Sequence, residues 1–553
     1  MKTYFHNLTR RLSLLIFLLC AGIASFAQGF SPVTQAKLQN ILKQFQKDPD
    51  NPYIGGVTAA IKVDGLAYWQ GAAGFAARNI DAQNNLLQGG TRFTPDTLSR
   101  MYSITKTFTA PLVLELAKEG VFKLGEPISK YLPLINTVNP NINSNVTIRQ
   151  LLAHESGYSN YTDEIDLQIA VAAQPTHIWT PYEMLSFIHQ IAPPGAERRY
   201  SSTNYILLGA IIEAATGKPV EQYFRKRFFN KLGLTSMFLG GRESIGSRGY
   251  LASPHDNISA FNPIFQATGQ PTFPDAYTNI SRFPMDAIVS LAFTGGGIVS
   301  NIADLAEWGN ALFSGRATSK STINTMLNSI SPTPDEDGDR LGYGIFVTTR
   351  ISATDYFVGH DGRAPGYRSV MFYQPDRKMT IAVMTNYYGA DAYAVAKALY
   401  EALPGFLCGE KKDDKVEVCF DGKTMCMSRK NAACFIQKGA YLGSCNDCIA
   451  QPANTSVRSD ASALKQLQDK LVAFPNPFTD HITLSFSVTQ PGHATLIIYD
   501  MNGKLVSTLF NGIAEKGALH QVKLEASKLA AGIYIARLQT AEGISQQKIV
   551  LRK

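Results

Sequence analysis

The alternation of apolar and polar residues divides most of the chain into strand-like ends and a helical middle. Between residues 32 and 404, short strand-like runs such as GVTAAIKV stand near both ends. Between them, apolar residues recur every three or four positions, as they do along an amphipathic helix. Asp64-Gly65 separates the first two strand-like runs and indicates a hairpin. This order predicts one sheet built from the two ends of the region, with an all-helical subdomain beside it.

The remainder of the chain has a different pattern. Residues 405–450 hold six of the seven cysteines, and residues 451–470 are polar without periodicity, as in a linker. From residue 471 to residue 553, short alternating runs are separated by turns, among them Asn502-Gly503. This last pattern predicts a small β-sandwich.

The N-terminus resembles an export signal. Residues 1–27 combine a charged start, a short apolar stretch and the small-residue cleavage site Ser25-Phe26-Ala27. No later segment approaches the roughly 18 apolar residues that a membrane-spanning helix needs. We therefore expect an exported mature chain without a transmembrane anchor. Cys20 leaves a lipoprotein signal open, although the bulky Leu19 before it disfavours one.

The six remaining cysteines form an even, dense cluster, which in an exported chain indicates disulfides. Up to three bridges are expected, and their pairing stays open. The Cys445-x-x-Cys448 spacing leaves a metal site as the alternative. No second such pair and no histidine pair accompanies it, so the spacing favours disulfides and no metal.

The distribution of charge argues against a nucleic acid partner, and the absence of known motifs argues against a cofactor. The net charge of +8 is spread thinly, without a basic stripe interleaved with aromatic residues, so no nucleic acid partner is expected. The chain has no complete G-x-x-x-x-G-K-[ST] phosphate loop, no H-E-x-x-H zinc motif and no G-x-S-x-G elbow. We therefore predict no cofactor.

Ser103 and Lys106 are the first candidates for chemistry. In a helix, residues three apart lie on one face, and a lysine amine can take the proton of a serine hydroxyl. Tyr200 follows a Pro-Gly turn and precedes an amphipathic helix, while His360 and Gly362 stand at the end of a strand. Each of these signals is weak alone.

Together the motifs are specific. SITK at 103–106, YSS at 200–202 and HDG at 360–362 occur in the order found in the penicillin-recognising serine hydrolases. The chain resembles the class C β-lactamase and D-alanyl-D-alanine carboxypeptidase type of that family, with its esterase relatives, over nearly all of residues 34–404. Flanking stretches such as LLAHESG match as well. The resemblance implies a mixed α/β fold, with an antiparallel sheet flanked by helices and an all-helical subdomain.

The resemblance also implies roles. Ser103 is expected to be the nucleophile, Lys106 to help deprotonate it, and Tyr200 to pass a proton to the leaving group, with His360 completing the catalytic set. The backbone N–H groups of Ser103 and Arg363 are expected to form the oxyanion hole. Whether Lys106 or Tyr200 is the general base stays open, because coupled groups share their titration.

Gly362 fits a need for close approach of the backbone to the substrate. Ser202 stands where the family often has an asparagine that binds the substrate amide, and Asn204 is a candidate substitute. His360 replaces a lysine that would be a permanent cation, which argues against an efficient β-lactamase. Arg363 or Arg368 is a candidate source of the missing charge.

Three further features have structural interpretations. Tyr158-Ser159-Asn160 spells the tyrosine motif literally, but it directly follows LLAHESG, so Tyr200 is preferred as the catalytic tyrosine. His154 is expected to be a structural hydrogen-bonding residue at a helix end. Residues 295–297, a glycine run, are expected to form a turn beside the active-site sheet.

The C-terminal region resembles the sorting domain of the type IX secretion system. FPNPF at 474–478, GIYIARL at 532–538 and the basic end carry this resemblance. It implies export across the inner and then the outer membrane, with the type IX machinery as partner and a secreted or cell-surface location. A carbohydrate-binding sandwich is the alternative. The cysteine-rich segment is expected to be a spacer before this domain.

The sequence therefore predicts a secreted serine hydrolase that acts through an acyl-enzyme. Its expected substrates are D-alanyl peptides, small esters or related amides. The alternatives are a β-lactamase and a non-catalytic penicillin-binding or sensor protein on the same fold.

Overall fold

The computed structural model describes residues 29–47, 55–335, 337–409, 413–448 and most of 471–551. The expected export signal and the linker lie outside the described residues. The chain divides into two compact units, residues 1–450 and 451–553, and each is described by itself.

The first unit mixes strands and helices. Its strands are β1 (Gly56–Val63), β2 (Ala67–Ile80), β3 (Leu86–Arg92), β4 (Ser99–Arg100), β5 (Phe238–Leu239), β6 (His255–Asp256), β7 (Thr278–Asn279), β8 (Ile298–Ser300), β9 (Arg340–Leu341), β10 (Phe346–Thr348), β11 (Phe357–Ala364), β12 (Tyr367–Gln374), β13 (Met379–Thr385), β14 (Leu407–Cys408), β15 (Lys415–Phe420), β16 (Lys423–Ser428) and β17 (Tyr441–Leu442). Its α-helices are Pro32–Lys47, Lys106–Lys118, Ile135–Val138, Ile148–Leu152, Ile165–Ala173, Pro181–Leu185, Ser202–Thr216, Val220–Phe224, Asn230–Leu232, Asn262–Ala267, Asp286–Gly296, Ile302–Phe313, Lys320–Asn328, Ala392–Glu401, Arg429–Gln437 and Cys445–Cys448. A π-helical turn spans Arg225–Phe229, and 3₁₀ turns span Tyr102–Thr105, Ile128–Lys130, Tyr161–Asp163 and Ser259–Phe261.

The main sheet has the strand order β3-β2-β1-β13-β12-β11-β10-β9, and its neighbouring strands are antiparallel. Strand β1 lies beside β13, with Val57 opposite Thr385 and Val63 opposite Met379. Strands from the two ends of the region therefore share one sheet, which confirms the predicted fold class. The long connection between them supplies the helices.

Both faces of the sheet centre are covered, and for this reason every residue of β13 is buried. On one face lie the helices between the two groups of strands. There Phe108 stacks on Trp308 with ring centroids 3.6 Å apart, and the Trp308 indole N–H donates to Thr107 Oγ1 at 2.8 Å. On the other face the helices Pro32–Lys47 and Ala392–Glu401 bury their apolar residues.

The cysteine-rich segment belongs to this second face. Val416, Val418 and Leu442 are buried in the same cluster as Phe30 and Leu38 near the start of the described chain. The Leu442 N–H donates to the Gly29 carbonyl at 2.6 Å. The expected spacer is therefore part of the first unit, because its apolar face has a partner on the N-terminal helix that the pattern of the segment does not reveal.

Two disulfides close this segment, Cys408–Cys426 and Cys419–Cys445. Cys434 is a free, exposed thiol, and the side chain of Cys448 lies outside what the structure describes. Among the cysteines whose side chains the structure describes, two bridges are therefore formed, of the three that six cysteines allow.

The second unit consists of β18 (Val472–Phe474), β19 (His481–Phe486), β20 (Gly492–Asp500), β21 (Leu505–Ala514), β22 (His520–Glu525), β23 (Gly532–Thr540) and β24 (Gly543–Leu551), with a 3₁₀ turn at Ala526–Lys528. The sheets β18-β19-β22 and β21-β20-β23-β24 bury one shared cluster of apolar residues. This confirms the predicted sandwich. The Asn502-Gly503 turn lies outside the described residues, but β20 and β21 on either side of it pair antiparallel. Among the helices that the structure describes, none combines the length and apolar character that crossing a bilayer requires.

Candidate active site

Ser103 lies in a tight turn, and Lys106 is the first residue of the helix that follows it, so that their side chains meet. The 3₁₀ turn Tyr102–Thr105 leads directly into the helix Lys106–Lys118. In a 3₁₀ turn, side chains three residues apart lie one above the other, and Lys106 Nζ is 2.9 Å from Ser103 Oγ. Tyr102, immediately before Ser103, has a φ of 44°, a strained conformation for a residue with a side chain.

Lys106 is completely buried and is surrounded by oxygen atoms. Besides Ser103 Oγ, its Nζ lies 3.1 Å from Ser202 Oγ and 2.8 Å from the Gly295 carbonyl. Burial lowers the pKa of Lys106 to about 7, although the charge of Asp361 acts in the opposite direction. Near neutral pH a substantial share of this side chain is therefore the free amine, which has a lone pair that can accept the serine proton.

Tyr200 approaches the same hydroxyl from another side. Its O–H donates to Ser103 Oγ at 2.9 Å, and the Lys106 Nζ lies 5.0 Å from the centre of its ring. Burial raises the pKa of Tyr200 above that of an ordinary phenol. Tyr200 is therefore a protonated donor at neutral pH, while Lys106 beside it is close to its midpoint.

His360 lies next to Tyr200, with ring centroids 6.0 Å apart, and stacks on Phe346 at 4.1 Å. Burial lowers the pKa of His360, so the imidazole is neutral near pH 7. Its Nδ1 lies 2.7 Å from the Asp361 carbonyl. Because a carbonyl only accepts, Nδ1 carries the proton and Nε2 carries the lone pair. That Nε2 is buried and has no hydrogen-bond partner among the described residues.

Gly362 lets strand β11 approach the Ser103 turn. A Cβ atom at this position would lie 2.1 Å from the Met101 carbonyl and 2.4 Å from Ser369 Oγ. Ser369 Oγ itself donates to the Met101 carbonyl at 2.9 Å, which fastens the sheet to the turn that carries the nucleophile. Only a glycine fits here without a shift of the strand.

The same hairpin orients the backbone of Arg363. Strands β11 and β12 are joined by Pro365-Gly366, and Ala364 pairs with Tyr367. The pair that flanks a two-residue turn, here Ala364 and Tyr367, is hydrogen-bonded. Hydrogen-bonded and non-bonded pairs alternate along an antiparallel ladder, so the next pair, Arg363 and Arg368, is non-bonded. The Arg363 N–H therefore points away from β12, towards the edge at which the pairing of β10 has already ended at Gly359.

The side chains of Arg363 and Arg368 share one aromatic partner. The Arg363 Nε donates to the Tyr388 hydroxyl at 3.0 Å, and the Arg368 Nε donates to the Tyr388 carbonyl at 2.8 Å. Both guanidinium groups lie over the Tyr388 ring, at 5.5 Å and 4.2 Å. Burial, and then the charge of Arg363, lowers the pKa of Arg368. Within the described part of the chain, neither arginine forms an ion pair, so both charges are available to an anion.

The two remaining predicted substrate-binding residues lie in different surroundings. Ser202 is part of the cluster, since its Oγ is a partner of Lys106. Asn204 is completely buried, and its Oδ1 accepts from Ser156 Oγ at 2.6 Å. The structure does not bring Asn204 to the Ser103 hydroxyl, because its amide is used within the interior of the helical subdomain.

The literal Y-S-N segment lies beside the tyrosine motif. Asn160 Oδ1 accepts the Ser202 N–H at 3.0 Å, and the Ser159 carbonyl accepts from Ser201 Oγ at 3.0 Å. Tyr158 is buried and donates to the Asn143 carbonyl. Its phenol is thus used in the helical subdomain, away from the hydroxyl that Tyr200 contacts.

Sequence reasoning missed the Gly295 carbonyl as a partner of Lys106. Gly295 and Gly296 end the helix Asp286–Gly296, after Phe293 has taken a φ of 30°. A Cβ at Gly295 would lie 3.3 Å from the Ser202 carbonyl. The run of three glycines was the available signal, because it indicates a close approach of two backbones. In the described residues, no three histidine, cysteine, aspartate or glutamate side chains converge as a metal site requires.

Two family comparisons match separate parts of the chain. Residues 38–405 match the beta-lactamase family, and residues 472–552 match the secretion system C-terminal sorting domain. Similar curated proteins include the unguisins hydrolase of Aspergillus campestris, 22% identical over 66% of this chain and 64% of its own. The D-aminopeptidase of Brucella anthropi is 24% identical over 63% of this chain and 59% of its own. This chain thus spans about six tenths of the length of these relatives.

Solved structures have the same fold as the first unit. The D-amino acid amidase of Ochrobactrum anthropi SV3 covers 67% of this chain and 98% of its own, with 24% identity and a TM-score of 0.54. A D-stereospecific amidohydrolase from Streptomyces covers 66% of this chain and 97% of its own, with 26% identity and a TM-score of 0.51.

Proposed function

We propose that this chain, which belongs to the beta-lactamase family, is an exported serine hydrolase that acts through an acyl-enzyme. One observation carries the proposal. Lys106 Nζ and Tyr200 OH each lie 2.9 Å from Ser103 Oγ, so the hydroxyl has a proton acceptor on one side and a proton donor on the other.

In the acylation step, the free amine of Lys106 takes the Ser103 proton as Oγ attacks the carbonyl carbon of the substrate. The backbone N–H groups of Ser103 and Arg363 hold the oxyanion. As the bond to the leaving group breaks, Tyr200 gives its proton to the departing nitrogen or oxygen. The proton on Lys106 then restores the phenol. A water molecule repeats the sequence on the ester and releases the acid, which returns Ser103 to its starting state.

The pKa values favour Lys106 as the general base of acylation. Burial lowers the pKa of Lys106 to about 7, near the working pH, whereas it raises that of Tyr200. A base is most effective when its pKa lies close to the pH at which it works. These shifts support Lys106 as the proposed base and Tyr200 as the proposed acid in acylation.

The substrate class we propose is an amide, peptide or ester of a D-amino acid. The names of the Brucella D-aminopeptidase, the Ochrobactrum D-amino acid amidase and the Streptomyces D-stereospecific amidohydrolase support this class. A neutral His360 supports it further, because a β-lactamase of this family type depends on a fixed cation at that position, and burial keeps this imidazole uncharged.

We also propose that the protein is exported across both membranes and is released or held at the cell surface. The C-terminal match to a secretion sorting domain supports this, together with the predicted N-terminal signal. Fractionation of cells that express the full chain tests it. Retention of a chain lacking residues 472–553 in the periplasm is the expected result, and equal export of both chains would contradict it.

A substrate screen tests the chemistry. Purified protein is offered p-nitrophenyl esters, D-alanyl-D-alanine peptides, D-amino acid amides and their L-isomers, and nitrocefin. We expect turnover of the D-amides or esters, with Ser103→Ala inactive. Rapid hydrolysis of nitrocefin alone would favour the β-lactamase alternative.

Mass spectrometry separates catalysis from mere binding. An activated ester should add an acyl group to Ser103, and Tyr200→Phe should retain that adduct longer than the natural protein. A stable penicillin adduct without turnover of any substrate would indicate a penicillin-binding protein. The absence of an adduct with every reagent would refute the acyl-enzyme.

A further inference from the structure

His154 contacts Tyr200 and the residues on either side of it. Its carbonyl accepts the Arg199 N–H at 2.9 Å, and its Nδ1 accepts the Ser201 N–H at 3.2 Å. Its ring lies 4.7 Å from the ring of Tyr200, centroid to centroid, at an angle of 30°. The residues before and after the tyrosine, and the tyrosine itself, are thus all in contact with one side chain and its carbonyl.

The protonation state of His154 suits this arrangement. A backbone N–H only donates, so Nδ1 must carry a lone pair, and a neutral imidazole then carries its proton on Nε2. Burial, and then the positive charge of Lys106, lowers the pKa of His154 well below its ordinary value. The ring is therefore neutral across the range in which Lys106 titrates.

The backbone of His154 is unusual as well. Its φ of 58° lies in the left-handed region just after the helix Ile148–Leu152, where glycine or asparagine is the common choice. A histidine in this conformation carries a steric cost. The histidine side chain makes two contacts with the tyrosine motif that glycine could not make: Nδ1 accepts the Ser201 N–H, and the ring packs against Tyr200.

We propose that His154 is a positioning residue that fixes the phenol of Tyr200 on the Ser103 hydroxyl. The inference rests on the proposed acyl-enzyme function. Tyr200 precedes the helix Ser202–Thr216, and the N-cap residue Ser201 has no side-chain cap bond of its own. The Nδ1 bond to the Ser201 N–H therefore holds the junction from which the Tyr200 side chain starts, and a small shift of a proton donor is enough to reduce catalysis strongly.

Two substitutions separate the acceptor from the ring. In His154→Asn, Oδ1 occupies nearly the place of Nδ1 and accepts the Ser201 N–H, and asparagine tolerates a positive φ. In His154→Ala, both the acceptor and the ring are lost. We expect kcat to fall about tenfold or more in His154→Ala with little change in KM, and to recover for the most part in His154→Asn.

A covalent probe distinguishes positioning from general damage. A fluorophosphonate reports on Ser103 and Lys106, because its fluoride leaves without needing a strong acid. We expect His154→Ala to label at nearly the natural rate while its ester turnover falls. His255→Ala is the matched control, because His255 is equally buried and accepts the Arg78 N–H through Nε2, away from the tyrosine motif. It should lower the melting temperature without lowering kcat of the folded enzyme.

The outcomes are distinguishable. Full kcat in folded His154→Ala, or an Asn variant no better than the Ala variant, overturns the positioning role even if Ser103→Ala is inactive. Equal losses of labelling and turnover in His154→Ala and His255→Ala also overturn it. Activity that survives in Ser103→Ala instead overturns the proposed function on which the inference rests.

Discussion

Lys106 Nζ lies 2.9 Å from Ser103 Oγ, and among the described residues no carboxylate forms an ion pair with it. The ammonium form consequently has no full counter-charge, and complete burial lowers its pKa to about 7. The nearest partners are two hydroxyls and one carbonyl, all of which a neutral amine can satisfy.

The pH dependence of turnover follows from this pair. Below the Lys106 pKa of about 7 the amine is protonated and cannot accept the Ser103 proton, so kcat/KM should rise with pH and level off above that value. Lys106→Arg, which stays charged, should lose activity by a factor of about 10² to 10⁴. Stopped-flow acylation by an activated ester measures the profile.

The control for this profile is His360→Gln. Burial lowers the pKa of His360 below its ordinary value. The rise of kcat/KM near pH 7 should therefore remain in His360→Gln. Loss of the rise in His360→Gln would assign it to the imidazole and contradict the role given to Lys106.

Gly362 tolerates no side chain if the proposed oxyanion site is to keep its shape. In Gly362→Ala the new Cβ would lie 2.1 Å from the Met101 carbonyl, so β11 must move away from the Ser103 turn. We expect kcat to fall about a hundredfold, as when one oxyanion donor is removed. Gly125→Ala is the matched control, since an added Cβ meets nothing within 4 Å. Equal kcat in the two variants would contradict the oxyanion role of this strand.

We expect Arg363 and Arg368 to favour substrates that carry a free carboxylate. Two cations on one tyrosine, without an ion-pair partner in the described chain, are suited to a carboxylate. Replacement of both by glutamine should raise KM about tenfold for a peptide with a free C-terminus. The amide-capped form of the same peptide should show an unchanged KM.

The control here is Arg92→Gln. Arg92, like Arg363, is exposed and lies over an aromatic ring, Phe75 at 4.4 Å, but it is on the edge strand β3, four strands away from β12 in the main sheet. A similar rise of KM in Arg92→Gln would indicate general electrostatics. If replacing both Arg363 and Arg368 by glutamine changes KM equally for the free and the amide-capped peptide, the arginine pair does not bind the carboxylate.

The Cys419–Cys445 bridge predicts a stability effect. It closes a sequence separation of 26 residues and holds β15, whose Val416 and Val418 are buried with the N-terminal helix. Replacement of both cysteines by serine should lower the free energy of unfolding by roughly 3 kcal/mol. Urea denaturation followed by circular dichroism measures it. Cys434→Ser removes a free thiol and should change nothing; a similar loss there would assign the effect to thiol chemistry.

The sequence predicted the strand–helix–strand order and the sandwich because both depend on local periodicity. The candidate residues Ser103, Lys106, Tyr200 and His360 were found because each lies in a short motif, and the structure brings them together. The Gly295 carbonyl was missed, since a backbone oxygen has no side-chain signature and its contact with Lys106 spans 189 residues.

Asn204 shows the opposite limit. Its residue type suited an amide-binding role, but nothing local indicated that Ser156 and the interior of the helical subdomain would occupy its side chain. The cysteine-rich segment is similar. Its cysteines indicated disulfides and a spacer, whereas the partner of its apolar residues, the helix Pro32–Lys47, lies hundreds of residues away in the chain.

The bond from the Leu442 N–H to the Gly29 carbonyl has a practical consequence. A recombinant enzyme trimmed at residue 405, where the family match stops, would leave Phe30 and its apolar neighbours facing water. Such a fragment should aggregate and be poorly soluble even with an intact catalytic cluster. A fragment that runs to residue 450 and is produced under oxidising conditions should behave well.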